Sequence, residues 1–216
     1  MPTIVLSIST ILLLICSYAQ AQNCALSGKQ SWNQSLRNII ADCPEKFDSP
    51  NRRFVVRVTS GGSLSAWSNS GREKLQWDAL KLEPPAMIAW SPESTAFFLN
   101  DGEGSGMSSS FRLFRLKGNR IIEDASIERS AVLLYRHRTG CTSSAADPNV
   151  WGFGWDTRGS TIFLLIQPTV NESCGKPEEF ISVVVRESDG VIVETLSKTQ
   201  TETRFGPLLP AAMFSK

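Results

Sequence analysis

Met87-Ile88-Ala89-Trp90-Ser91-Pro92-Glu93-Ser94-Thr95-Ala96-Phe97-Phe98 decides how this chain is read. An apolar run ends at Trp90, a polar break containing proline follows, and a second apolar run opens at Ala96. Short apolar runs on either side of such a break describe two strands joined by a tight turn. Weaker versions of the phrase stand at Ser49-Pro50-Asn51-Arg52-Arg53-Phe54-Val55-Val56 and at Trp155-Asp156-Thr157-Arg158-Gly159-Ser160-Thr161-Ile162-Phe163. Each is followed by another strand, a turn and a last strand. After the first come Ser63 to Trp67, Asn69-Ser70-Gly71 and Lys74 to Trp77. After the second come Phe111 to Leu116, Lys117-Gly118-Asn119 and Arg120 to Ile122. After the third come Phe180 to Arg186, Ser188-Asp189-Gly190 and Val191 to Leu196.

The onset of the phrase steps by 42 residues from Ser49 to Ser91 and by 65 from Ser91 to Asp156. The first step suits one four-stranded unit of a repeat architecture. The second is longer because the Gly/Ser loop at 102–110 and the region 136–148 read as insertions, and the third copy carries its own insertion at 168–179. Insertions into repeats collect on one face, often the binding face. Ile162-Phe163-Leu164-Leu165-Ile166 lacks polar alternation and reads as a strand buried on both sides. Gly61-Gly62, Gly118-Asn119 and Asp189-Gly190 read as hairpin turns.

On these residues the chain resembles the TolB-type, WD-repeat-like propellers, whose blades carry a W-S-P-D-G/S phrase leading into a hydrophobic strand. The resemblance covers roughly residues 47–197 and is sharpest in the copy at Trp90, which has Glu93-Ser94 where Asp-Gly is usual. It implies an all-β fold of three four-stranded, propeller-blade-like antiparallel units, as an open arc or a minimal propeller. It also implies a scaffold for binding.

The termini carry separate signals. Residues 4–15 are almost wholly apolar and Ala19-Gln20-Ala21 follows, so residues 1–21 read as a secretory signal peptide. The apolar run is too short to span a membrane, and no stable membrane insertion is expected after cleavage. The destination is secreted or periplasmic. Removing Cys16 leaves Cys24, Cys43, Cys141 and Cys174, an even number. Two disulfides are expected in an exported chain, paired locally as Cys24–Cys43 and Cys141–Cys174. Trp32, Leu36, Ile39 and Ile40 fall on one helical face. Residues 22–46 therefore read as a disulfide-bracketed N-terminal helix, 47–197 as the β-units and 198–216 as a tail.

With 22 Lys plus Arg against 21 Asp plus Glu, the net charge is near zero, and no nucleic-acid partner is indicated. Two basic clusters, Arg112/Arg115/Lys117/Arg120 and Arg136-His137-Arg138, read as charged strand edges or an anion-binding patch. No metal or cofactor motif is present. Asp101, Glu103, Ser105 and Gly106 match the start of a calcium loop, but position 12 is Arg112 in place of the bidentate Glu. No catalytic residue is assigned. The single histidine, His137, supports only an alternative reading as a small secreted hydrolase working with a carboxylate from Asp101 or Glu103. The preferred reading is a non-catalytic binding module for a protein partner. Its contact loop holds Asn100, Asp101, Glu103, Ser105 and Met107, and acts together with the insertions at 136–148 and 168–179.

Overall fold

The computed structural model describes residues 37–40 (backbone only), 44–59, 61–68, 73–78, 80–82, 86–102, 109–141, 147–169 and 180–209. It contains three antiparallel sheets, each built on four strands consecutive in the chain. The first sheet comprises β2 (Glu45–Asp48), β3 (Phe54–Val58), β4 (Ser63–Ser68) and β5 (Leu80–Lys81). The second comprises β6 (Ala86–Trp90), β7 (Ala96–Asp101), β8 (Ser110–Lys117) and β9 (Arg120–Asp124), with β1 (Arg37–Ile40) added beside β6. The third comprises β10 (Asn149–Trp155), β11 (Thr161–Gln167), β12 (Ile181–Arg186) and β13 (Ile192–Leu196).

The β-rich class and the three sheets agree with the sequence reading, but the N-terminal helix does not. Arg37–Ile40 is a strand whose Ile39 and Ile40 pair with Met87 and Ala86. Helical spacing of a few apolar residues is weak evidence when a neighbouring strand offers a ladder of backbone hydrogen bonds. The rest of the expected helix lies outside the described residues. Two helices occur where none was expected. α1 (Ser126–Thr139) joins the second sheet to the third. α2 (Lys198–Phe205) occupies the start of the expected tail. It opens with a capping box: Gln200 N–H donates to Ser197 Oγ, and Ser197 N–H donates to Gln200 Oε1.

The sheets are stacked face to face through side chains that alternate along each strand. Phe47, Val56, Val58 and Leu64 of the first sheet meet Ile88, Trp90, Phe97, Leu99 and Phe114 of the second. The opposite face of the second sheet, with Phe98, Phe111 and Leu113, packs on Val150, Ile162, Leu164, Ile166, Val183 and Val185 of the third. Ile127, Ala131 and Tyr135 of α1 complete that layer. Beyond the third sheet, Phe153, Phe163, Leu165 and Val184 are covered by Phe205 and Leu209. Ile162, Leu164, Leu165 and Ile166 are fully buried between these two layers, as the unbroken apolar run predicted. Burying each such side chain contributes roughly 1.5–3 kcal/mol.

The turns inside the three sequence phrases share one geometry. Ser49, Ser91 and Asp156 each donate their N–H to the carbonyl five residues on, and each accepts at its own carbonyl the N–H of the residue three on. That third residue is left-handed every time: φ is 57° at Arg52, 62° at Ser94 and 69° at Gly159. Only Gly159 adopts this without a Cβ penalty. Ser94 is buried and its Oγ accepts the N–H of Asn51, 3.0 Å away in the first turn. A glycine there would relieve the strain but could not make that bond. Trp90 Nε1–H donates to the Phe47 carbonyl and Trp155 Nε1–H to the Ala89 carbonyl, both at 3.3 Å. One indole thus reaches back from the second sheet to the first, and another from the third to the second.

Candidate functional site

The sequence singled out the loop after β7. Its first member, Asn100, is a different kind of residue from the one expected. It is 4% exposed, and its amide grips the backbone of Gly152 on the third sheet. Asn100 Nδ2–H donates to the Gly152 carbonyl at 2.7 Å, and Gly152 N–H donates to Asn100 Oδ1 at 2.8 Å. Position 152 admits no side chain, because a Cβ there would fall 2.7 Å from Phe98 Cε2 and 2.8 Å from Phe111 Cε2. The close approach lets Asn100 reach the backbone. Asn100 is therefore engaged within the fold and presents nothing to a ligand. Asp101 ends β7 opposite Ser110 and is half-buried. Glu103, Ser105 and Met107 lie outside the described residues, as do Cys24, Cys43 and Cys174. Cys141 is disulfide-bonded, with its partner outside the described residues.

The basic clusters have structural explanations. β8 is an inner strand, so Arg112 and Arg115 are not on a sheet edge. Arg112 makes a bidentate pair with Glu123, both bonds at 2.7 Å. Arg115 joins Asp124 at 3.0 Å and also binds Glu187 across to the third sheet. Burial alone would raise the Asp124 carboxyl. Hydrogen bonds from Ser126 and the Arg115 guanidinium outweigh that and hold it below its ordinary value. The same Ser126 bonds fix the entry to α1. Arg136, His137 and Arg138 form the last turn of α1 before the left-handed Gly140, where cations suit the helix dipole. His137 is exposed and has no hydrogen-bond or ion-pair partner among the described residues, so it does not sit in a cleft beside a carboxylate.

Around α1 lies a groove of about 730 Å³. Glu128, Arg129, Val132, Leu133 and Arg136 form its helical wall, and Ser109, Ser110, Asp147, Pro148, Asn149 and Thr169 form the rest. Packing explains its position. Ile127, Ala131 and Tyr135 turn one face of α1 into the core, and Phe111 N–H donates to Glu128 Oε1 at 3.0 Å, tying the first turn to β8. Asn149 Oδ1 accepts the N–H of Ser109 at 2.8 Å, and Val150 N–H donates to the Ser109 carbonyl, so the entries to β8 and β10 are held side by side. The helix face left over carries Leu133, 68% exposed and the most exposed large apolar residue described.

The electrostatics of the groove are mixed. Burial raises the Glu128 carboxyl above its ordinary value, and Asp147 and Glu123 add to the rise, against the Phe111 N–H and Arg112. Arg136 pairs with Asp147 at 2.6 Å. Ser109 Oγ is buried without a hydrogen-bond partner. Sequence reasoning missed Glu128, Arg129 and Leu133, although Ile127, Ala131 and Tyr135 at intervals of four carry the helical signal. Among the described residues no cluster of His, Cys, Asp and Glu is arranged to hold a metal, and no helix is long and apolar enough to cross a membrane.

The boundaries of all three insertions meet at this groove. Ser109 closes the first, Asp147 and Pro148 close the second, and Thr169 opens the third. In comparisons with known proteins, no family model matches the chain and a search of curated proteins gives no match.

Proposed function

We propose that this chain is an exported binding module for a protein partner, with its contact face at the groove beside α1. The three sheets serve as propeller-blade-like units of a scaffold, in keeping with the resemblance to TolB-type blades. The observation that carries the reading is the meeting of the three insertion boundaries around one groove. Leu133 supplies an exposed apolar anchor on its rim, and exposed apolar surface rimmed by polar groups marks interaction sites. The groove volume falls within the range of sites that take a small molecule or a few side chains.

The reading is tested with a photo-crosslinking residue in place of Leu133 in the mature chain, exposed to its own extracytoplasmic fraction. A matched variant carries the probe at Val193, an exposed residue on β13. A discrete adduct from position 133 and none from 193 is the expected result. Equal labelling from both positions, or none from 133, refutes the contact face.

A further inference from the structure

The outer face of the first sheet gathers positive charge that the sequence scatters. Phe47, Val56, Val58, Leu64 and Leu75 point into the layer shared with the second sheet. Alternation along the chain turns their neighbours Lys46, Arg57, Ser65 and Lys74 to the other side. The pairing agrees: Lys46 stands opposite Arg57, Arg57 opposite Ser65, and Trp67 opposite Lys74. Lys81, opposite Ser63 on β5, belongs to the same face. Among the described residues of this face the one carboxylate is Asp48, opposite Val55. Four cations against one carboxylate leave three positive charges in excess here, more than the +1 of the entire chain.

No contact within the fold answers that charge. Lys46, Asp48, Arg57, Lys74 and Lys81 take part in no ion pair among the described residues. Lys46 and Arg57 face each other across adjacent strands, where like charges destabilise a sheet. The Arg57 guanidinium lies 4.9 Å from the centre of the Trp67 ring, and its Nε is buried without a hydrogen-bond partner. Trp67 is fixed in turn by its Nε1–H, which donates to Ser65 Oγ at 3.3 Å. An aromatic platform, and not a carboxylate, therefore positions this cation. Lys46, Lys74 and Lys81 are exposed. Their layout has two dimensions. From β2 to β5 is three strand spacings, so Lys46 and Lys81 stand about 14 Å apart across the sheet. From Ser63 to Trp67 is four residues, so Lys81 and Lys74, opposite them, stand about 13 Å apart along the strands. One small anion cannot reach all four cations, and a single line of charges would follow only one row. A plane of anionic groups matches the layout.

We propose that the outer face of the first sheet docks on the headgroup layer of an anionic lipid bilayer, with Lys46, Arg57, Lys74 and Lys81 against lipid phosphates. The binding is peripheral and electrostatic, since the face offers cations and no apolar wedge to insert. Arg57 suits a phosphate best, because a guanidinium is weakly hydrated and held ready on the indole. The face belongs to the first sheet, whereas α1 packs with the second and third, so this proposal does not rest on the groove.

The test is co-sedimentation of the full mature chain with vesicles of phosphatidylcholine alone and with vesicles in which a third of the lipid is phosphatidylglycerol. Partitioning into the anionic vesicles should be about a hundredfold stronger, the worth of three charges in excess at such a surface. Raising the salt from about 0.1 M to about 0.5 M should remove most of that preference. The variant Lys46→Gln/Lys74→Gln/Lys81→Gln should fall to the phosphatidylcholine level with an unchanged urea midpoint, because all three side chains are exposed. The variant Lys117→Gln/Arg138→Gln/Arg158→Gln loses the same charge from exposed positions on the second sheet, α1 and the turn between β10 and β11. It should keep the preference to within about threefold, because charges away from the docked face are screened. Equal partitioning into the two kinds of vesicle overturns the proposal, as does an equal loss in both variants. Soluble polyphosphate that binds as tightly as the vesicles at equal phosphate would make the occupant a linear polymer and overturn the bilayer. Tighter binding of an oligoglutamate peptide would make it an acidic protein segment, with the same consequence.

Discussion

Replacing Asn100 by Asp is the sharpest test of how the second and third sheets are joined. The substitution keeps the shape of the side chain and one of its two bonds, since a carboxylate oxygen can still accept the Gly152 N–H. It removes the donor that serves the Gly152 carbonyl at 2.7 Å and sets a carboxylate against that carbonyl. The site is buried, Met87 Sδ is the other polar neighbour at 3.7 Å, and no cation bonds to it. The folded protein escapes the clash by protonating the new carboxyl, which can then donate to the carbonyl. Holding a carboxyl of unfolded pKa near 3.9 protonated at neutral pH costs about 4 kcal/mol, at about 1.4 kcal/mol per pH unit. The variant's folded-state pKa is raised, so its deficit grows as pH rises above the unfolded value and shrinks as pH falls toward it. Asn100→Ala removes both bonds and leaves two buried backbone groups unmatched, for a loss of roughly 2–6 kcal/mol that does not depend on pH. Either loss is a large part of a typical domain stability of about 5–15 kcal/mol. The assay is urea unfolding followed by tryptophan fluorescence across a pH series, each variant referred to wild type at the same pH. If Asn100→Asp lies within about 1 kcal/mol of wild type near neutral pH, or its deficit is flat in pH, the site is wet and Asn100 is no clamp.

Trp90→Ala should cost about 3–5 kcal/mol, because a fully buried indole packed on Phe97 at 4.8 Å is lost together with its bond to the Phe47 carbonyl. A loss below about 1 kcal/mol in the same assay would mean the first two sheets do not pack as described. Glu128→Gln should stabilise the chain near neutral pH, because Gln still accepts the Phe111 N–H without a buried charge. The Glu128 pKa is raised, so the cost of its charge is fully present above that folded value and fades as pH falls toward the unfolded 4.5. The groups acting on it are Asp147, Glu123 and Arg112, and unchanged pH dependence in the variant would show that Glu128 is solvated.

The three sheets were legible because each is announced locally. A turn with a serine or aspartate at its first position is flanked by β-branched and aromatic runs, and its hydrogen bonds stay within five residues. The buried strand at 162–166 was legible from composition for the same reason. β1 was not, since four residues acquire strand geometry only from β6, far along the chain. α1 was hidden by its own charges: Arg136, His137 and Arg138 crowd its last turn, and the region from residue 136 reads as an insertion. Asn100 resembled a loop ligand because polar residues at strand ends usually face water. Its partner is 52 residues away, and only the missing side chain at Gly152 makes that partner reachable. The groove is non-local throughout, assembled from α1 and the entries to β8 and β10.

The place where the insertions gather follows from the antiparallel order. Each strand crosses its sheet once, so successive connections alternate between the two ends. The turns β2–β3, β6–β7 and β10–β11 lie together at one end. Asn51 N–H bonds Ser94 Oγ, and a Cβ on Gly159 would sit 3.4 Å from Pro92 Cδ. That contact fixes their length, because an added residue would displace two neighbouring turns as well as its own. The β7–β8 and β11–β12 connections and the entry to β10 are thereby sent to the opposite end. In the first sheet the matching connection is the tight turn from Thr59 to Ser63, closed by the Thr59 N–H to Ser63 carbonyl bond. At this end the longer connections therefore belong to the second and third sheets, and α1 enters the stack between the same two. The groove lies where the fold tolerates variation in length, while the interlocked turns at the far end hold the sheets that form its walls.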